Sequence, residues 1–311
     1  GFSQNASQAI ISVSEFLGLA APALPEVLTA NRTNDENKIE TPFEPVASLS
    51  LPNATTQTID FAGFTGAGFQ STPAAGQLDS DDWAVTGWSD GALAFGGTRT
   101  TASTDYTRGA TAAAVTTGGM YAFTGSPGSV GNPSLMIQPG GSDFVPGTLT
   151  LRLQNTGATN ITQLQVAYDL FVRNDQLRSS SFNFSHSAND SVYTSVGALD
   201  YTSTAASDAL GWVLVGTAPS RSTTITGINV APLGFYYIRW SSADVGGSGS
   251  RDEFGLDNIA VTPTFAPPAP TVTSVSPTSG TTAGGFTLTV NGTDLTGASA
   301  VTVGGDSCPI L

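Results

Sequence analysis

The chain has 311 residues and a formal net charge of −14, with 24 Asp plus Glu against 10 Lys plus Arg. Such a chain repels a phosphate backbone, which excludes nucleic acid as a partner. Its single Cys excludes an internal disulfide framework, and it contains no apolar run of about 18 residues that would span a membrane. Charged residues make up only 11%, and 36 Gly and 18 Pro accompany abundant Thr, Ser and Val. That composition predicts a neutral, hydroxyl-rich surface and short strands joined by turns, hence an all-β fold.

Residues 1–45 differ from the rest and read as an N-terminal arm. Its apolar residues Ile10, Ile11, Val13, Phe16, Leu17 and Leu19 fit one short helix, but Ala-Ile-Ile-Ser-Val-Ser reads equally as a strand. The arm either packs on its own domain or docks on a neighbouring copy and mediates self-association. The absence of an initiator Met points to a removed or excluded targeting segment and an extracellular or cell-surface location.

Residues 46–263 read as a succession of strands with turn residues between them, the pattern of a jelly-roll-like β-sandwich. The strands predicted are Thr148–Asn155, Gln163–Val172, Ser181–Ser187, Trp212–Gly216, Thr223–Val230 and Phe235–Ser242. The early acidic patch, Leu78–Trp83, carries Asp79, Asp81 and Asp82 and reads as a solvated loop or a cation site. Trp83 and Trp88, in Gly- and Asp-rich surroundings, are the candidate platforms for a surface glycan, whereas Trp240 in an alternating strand belongs in the core. The single His, His186, sits on a sheet face in Phe-Asn-Phe-Ser-His-Ser. No Gly-x-Ser-x-Gly elbow, His-Glu-x-x-His motif or Walker loop is present, so the reading is non-catalytic.

The stretch Gly247–Pro263 gathers Asp252, Glu253, Asp257 and Asn258. Calcium takes six to eight oxygens from mixed carboxylate, amide and carbonyl donors, so these four are the candidate metal ligands. The alternative is a metal-free corner, in which Arg251 pairs with an acid and Asp257 caps the turn into a strand Ile259–Thr262. Beyond it, residues 264–270 are a stiff Pro-rich linker to a further domain at 271–311.

Two resemblances add to this reading. Val275-Ser276-Pro277-Thr278-Ser279-Gly280, the Gly284-Gly285 turn, Thr287–Val290, Asn291-Gly292 and Val301-Thr302-Val303-Gly304-Gly305 resemble the opening strands of an IPT/TIG domain. This implies an immunoglobulin-like fold, present here as its N-terminal half, with Val272–Ser276, Phe286–Val290 and Ala300–Val303 pairing. It also implies that Cys308 meets a second Cys beyond Leu311. The stretches Asp81–Gly97, Gly147–Gly157, Tyr168–Ser187 and Tyr236–Thr262 are similar to a β-sandwich module of large Bacteroidetes exoproteins secreted by the type IX route. Gly-Leu-Asp-Asn-Ile-Ala-Val-Thr is similar to the last strand of jelly-roll adhesion and carbohydrate-binding modules, which implies a structural calcium at Asp257. Together these give an extracellular structural or adhesive protein, a fibre or stalk subunit, or else an accessory or carbohydrate-binding module of a large secreted hydrolase such as a nuclease.

Overall fold

The computed structural model describes residues 49–125, 132–281, 283–303 and 305–310. The predicted N-terminal arm, residues 1–45, lies outside the described residues. Those described divide into two units, 49–266 and 267–310.

In the larger unit the strands that carry the architecture are β1 (Leu49–Leu51), β2 (Gln57–Ile59), β3 (Trp83–Thr86), β4 (Gly119–Phe123), β5 (Ser134–Gln138), β6 (Gly147–Asn155) and β7 (Ile161–Arg173). They continue with β8 (Arg178–Ser187), β9 (Thr194–Ser195), β10 (Trp212–Leu214), β11 (Arg221–Val230), β12 (Phe235–Ser242) and β13 (Glu253–Phe265). Sheet A has the order β1-β6-β12-β8-β9, with β3 also on β6. Sheet B has the order β10-β7-β13-β5-β4, with β11 also on β7 and β2 on β13. The two sheets pack as a sandwich, as the composition predicts.

Alternation explains the strands of sheet A. In β12, Tyr236, Ile238 and Trp240 are buried while Phe235, Tyr237, Arg239 and Ser241 are only half-buried on the outer face. Trp240 joins the two sheets. Its ring lies 6.3 Å from that of Trp83, and it meets Tyr168 of sheet B edge-on at 5.4 Å and Phe184 edge-on at 5.8 Å. Nearby, Phe182 stacks on Phe254 across the sandwich at 5.0 Å.

Sheet B does not alternate, because part of its outer face is covered as well. Tyr121, Phe123, Met136, Phe171 and Trp212 form a second buried cluster, packed under Val115. The strand predicted at Ile259–Thr262 consequently begins six residues earlier than its apolar alternation suggests. It runs as β13 from Glu253, between β7 on one side and β5 and β2 on the other.

The smaller unit contains two separate antiparallel pairs, β14 (Thr271–Ser276) with β15 (Thr289–Thr293) and β16 (Val301–Val303) with β17 (Asp306–Cys308). The expected pairing of three strands with one another is therefore not seen. The segment Val301–Val303 turns back on Asp306–Cys308 instead, and strand structure at the second site starts at Thr289 rather than Phe286. Phe286 is 47% exposed, and Cys308 is a free thiol.

Truncating Trp240, which is fully buried, removes the contact between the two sheets at their centre. Trp240→Ala is expected to lower stability by about 3–5 kcal/mol, read as a fall in the chemical denaturation midpoint.

Candidate functional site

The four predicted metal ligands do not converge. Consecutive residues of a strand point to opposite faces and advance about 3.3 Å each, which separates them. Asp252 is fully buried and its Oδ1 accepts the Gln176 main-chain N–H at 3.0 Å. Glu253, also fully buried, accepts the Val115 main-chain N–H at 3.0 Å, beneath the segment that covers sheet B. Burial, aided by the charge of Asp175, pushes the Glu253 carboxyl up to about 8. Arg251 does pair with an acid, but with Asp244: Nε and Nη2 donate to its two carboxylate oxygens at 2.7 and 2.9 Å.

Asp257 sits further along β13, opposite Asp169 of β7 in the sheet register. It caps no turn, because it lies inside the strand. The adjacent Asn258 adopts a left-handed backbone, φ 49°. Its main-chain N–H donates to Asp257 Oδ1 at 2.8 Å, and its side-chain amide donates to Asp169 Oδ2 at 3.0 Å. Burial, then the negative charges of Asp169 and Asp60, pushes the Asp257 carboxyl up to about 7. Like charges directly opposite on a sheet repel, and the groups acting on Asp257 include no cation. Among the described residues no three His, Cys, Asp or Glu side chains come close enough to hold a metal ion.

The tryptophans proposed as glycan platforms are in the core. Trp83 pairs with Leu151 in β6 and points inward, 1% exposed. Trp88, 5% exposed, follows the turn at Gly87 and packs on Phe144 with ring centres 5.0 Å apart. A Gly- and Asp-rich neighbourhood says where the chain turns, not which way the next ring faces. In the acidic patch beside Trp83, Asp81 is buried and Asp82 is pushed up to about 7 by burial and by the nearby Asp79, against the opposing pull of Arg152.

The outer face of sheet A carries the aromatic surface that those tryptophans do not. Tyr237 is paired with Arg152 on one side and Ser187 on the other. Phe95, from the loop after β3, lies 5.9 Å from the Tyr237 ring. The Arg152 guanidinium lies between Phe95 and Phe235, 4.5 and 4.7 Å from the ring centres. One register step along, Arg239 donates from Nε to Thr150 Oγ1 at 2.8 Å and from Nη2 to Asp190 Oδ1 at 3.0 Å. Tyr193 covers it, with its ring centre 3.6 Å from the guanidinium carbon and its hydroxyl donating to the same Asp190 oxygen. The turn that presents Tyr193 is built by Asn189, whose Oδ1 accepts the main-chain N–H groups of Ser191 and Val192. Beyond Arg239 runs a row of small polar residues, Thr86, Thr148, Ser241 and Asn183.

His186 stacks on Tyr236, and its Nδ1 and the tyrosine hydroxyl oxygen are 2.6 Å apart. Burial pulls its pKa down, so the imidazole is neutral at neutral pH. None of the buried acids lies within hydrogen-bond distance of it. The Arg residues are likewise engaged internally: Arg108 with Asp105, Arg173 with Asp175, Arg178 with Asp244, and Arg99 and Arg221 with main-chain carbonyls.

With this geometry in hand, comparison with known proteins gives the following. Residues 270–311 match the IPT/TIG domain family. No curated protein matches the sequence. Among solved structures, the K1 cleaved adhesin domain of Lys-gingipain from Porphyromonas gingivalis W83 is 15% identical, covering 67% of this chain and 98% of its own, with a TM-score of 0.33. The TmCBM61 module, solved with beta-1,4-galactotriose, is 13% identical over 43% of this chain and 72% of its own, TM-score 0.25. A non-crystalline cellulose specific module, CBM28, is 14% identical over 45% and 78%, TM-score 0.27. Similarity at this level assigns no ligand. No helix among the described residues is long and apolar enough to cross a membrane.

The carboxyls of Glu253 and Asp82 are protonated more readily in the folded than in the unfolded chain. Between the unfolded and folded pKa values the folded state therefore holds more protons, and stability falls as pH rises through that window. The midpoint of thermal unfolding is expected to drop between about pH 4.5 and pH 8, and Glu253→Gln to flatten that slope, as read from melts across the range.

Proposed function

We propose that the chain is a non-catalytic, extracellular adhesive module that holds a neutral glycan on the outer face of sheet A. The observation that carries this is the pairing of half-buried rings, Tyr237, Phe95 and Tyr193, with the fixed polar groups of Arg239, Asp190 and the Thr86–Thr148–Ser241 row. A sugar ring has apolar C–H faces that lie on an aromatic ring and hydroxyls at its rim that need donors and acceptors. A preformed surface with both meets it at little ordering cost. Arg239 is held by Thr150 and Asp190 before any ligand arrives, which is the preorganisation that such recognition needs. The net charge of −14 disfavours acidic glycans, so the ligand class is neutral. The buried carboxylates support a structural role rather than a reaction, since they are held by main-chain N–H groups and His186 is hydrogen-bonded to Tyr236 instead of to any of them.

We propose further that Asp257 and Asp169 hold a structural calcium ion. Bound there, the ion supplies the positive charge that the facing carboxylates lack, and the strand pair β7–β13 is stabilised without a proton being taken up.

Two measurements test these readings. A glycan array with the whole chain is expected to return a neutral oligosaccharide, and Tyr237→Ala to weaken it roughly tenfold, about 1.4 kcal/mol, with an unchanged melting temperature. Retention of no glycan, or equal binding by the variant, rejects the face as the site. Millimolar calcium is expected to raise the melting temperature of the wild-type chain but not of Asp257→Asn, because only the native state binds the ion. An identical melt with chelator and with calcium rejects the ion.

A further inference from the structure

On the outer face of sheet A, the ion pair of Arg239 and Asp190 is only half engaged by the protein. Arg239 donates from Nε to Thr150 Oγ1 and from Nη2 to Asp190 Oδ1, and the Tyr193 hydroxyl donates to that same Asp190 oxygen. Among the described residues Nη1 has no acceptor and Asp190 Oδ2 has no donor. Both side chains reach solvent, Arg239 at 24% exposure and Asp190 at 35%. Each free atom shares a carbon with one that is already bonded, so a donor and an acceptor lie together on the rim of one pair.

That rim is fixed from several sides. Arg239 belongs to β12, between Thr150 of β6 and Ser185 of β8 in the register, and the Tyr193 ring lies over its guanidinium. Asp190 has a left-handed backbone, φ 57°, inside the turn that Asn189 holds through Ser191 and Val192. The two charges neutralise each other, yet each free atom makes the stronger hydrogen bond of an ionised group. Tyr237 lies two residues from Arg239 on the same face, about 7 Å along the strand. Burial, then the charge of Asp190, raises the Tyr237 hydroxyl above its ordinary pKa, so the carboxylate lies near that ring.

We propose that Arg239 and Asp190 read a vicinal diol of the glycan, one hydroxyl accepting from Arg239 Nη1 and its neighbour donating to Asp190 Oδ2. This narrows the ligand class, and it rests on the outer face of sheet A being the glycan site. A hydroxyl both donates and accepts, so two adjacent ones serve both arms of the pair at once. Neighbouring ring hydroxyls in a gauche arrangement hold their oxygens on one side and fit. A trans-diaxial pair points them apart and does not, and neither does a pair whose donating hydroxyl is substituted. The ligand is therefore a neutral pyranoside with one unsubstituted gauche diol, its C–H face lying on Tyr237.

A neutral glycan array read with the whole chain, followed by calorimetry on each retained glycan and its mono-deoxy analogues, tests this. Removing either hydroxyl of one gauche vicinal pair is expected to weaken binding about tenfold, and removing any hydroxyl outside that pair much less. Arg239→Met removes the donor, and Asp190→Asn keeps the shape of the turn residue without the carboxylate. Each is expected to bind about tenfold more weakly and to lose most of the penalty for removing the hydroxyl that its own group served. The deoxy series on the wild type decides the case even where a variant fails to fold. A retained glycan that depends on Tyr237 but is indifferent to the loss of every vicinal hydroxyl overturns the diol reading and leaves the glycan face standing. An undiminished penalty in both folded variants overturns it equally. Retention of no glycan overturns the face and the diol reading together.

Discussion

The first half of strand β13, residues 253–257, is buried on both faces, and most of what is unusual in the sandwich follows from that confinement. Its inner face supplies Phe254 and Leu256 to the core between the sheets, and its outer face lies under the segment around Val115. A polar group on that half of the strand has no route to bulk water. Glu253 and Asp257 are therefore held by main-chain N–H groups and shifted toward their neutral forms, where the same residues in a surface loop would stay ionised. The acid-rich stretch is thus part of the framework, and the register of β7 against β13 is what sets Asp169 opposite Asp257.

The fold class and most of the sandwich strands were legible from alternation and turn residues. Phe235–Ser242 illustrates why: one side chain in two goes to the core, so Trp240 could be assigned inward with no further information. The same rule, applied one residue earlier, would have marked Tyr237 and Arg239 as outward and so found the aromatic face. Phe95 and Tyr193 carried no such signal, because they reach the face from loops whose path depends on tertiary packing. The start of β13 was hidden for a different reason. Period-two patterning reports a strand with one wet face, and Asp252-Glu253-Phe254-Gly255 opens the half of β13 that has none.

The misplacement of Trp83 and Trp88 has the same origin. Local composition registers the bends around a residue but not the direction of its Cα–Cβ bond relative to a sheet that has yet to form. Trp83 became a core residue by pairing with Leu151, some seventy residues away in sequence.

The engagement of the arginines inside the sandwich changes how the molecule looks from a distance. Each of those described is tied to a carboxylate, a carbonyl or an aromatic ring, so little mobile positive charge is left to fold over a neighbouring acid. The far field is therefore set by the excess of carboxylates over arginines and not by cations free to rearrange. Two such molecules feel one another over the Debye length, about 30 Å at 0.01 M salt and about 8 Å at 0.15 M. Dilute buffers therefore act as a dispersant for this protein, and seawater-like ionic strength leaves its contacts to short-range packing alone.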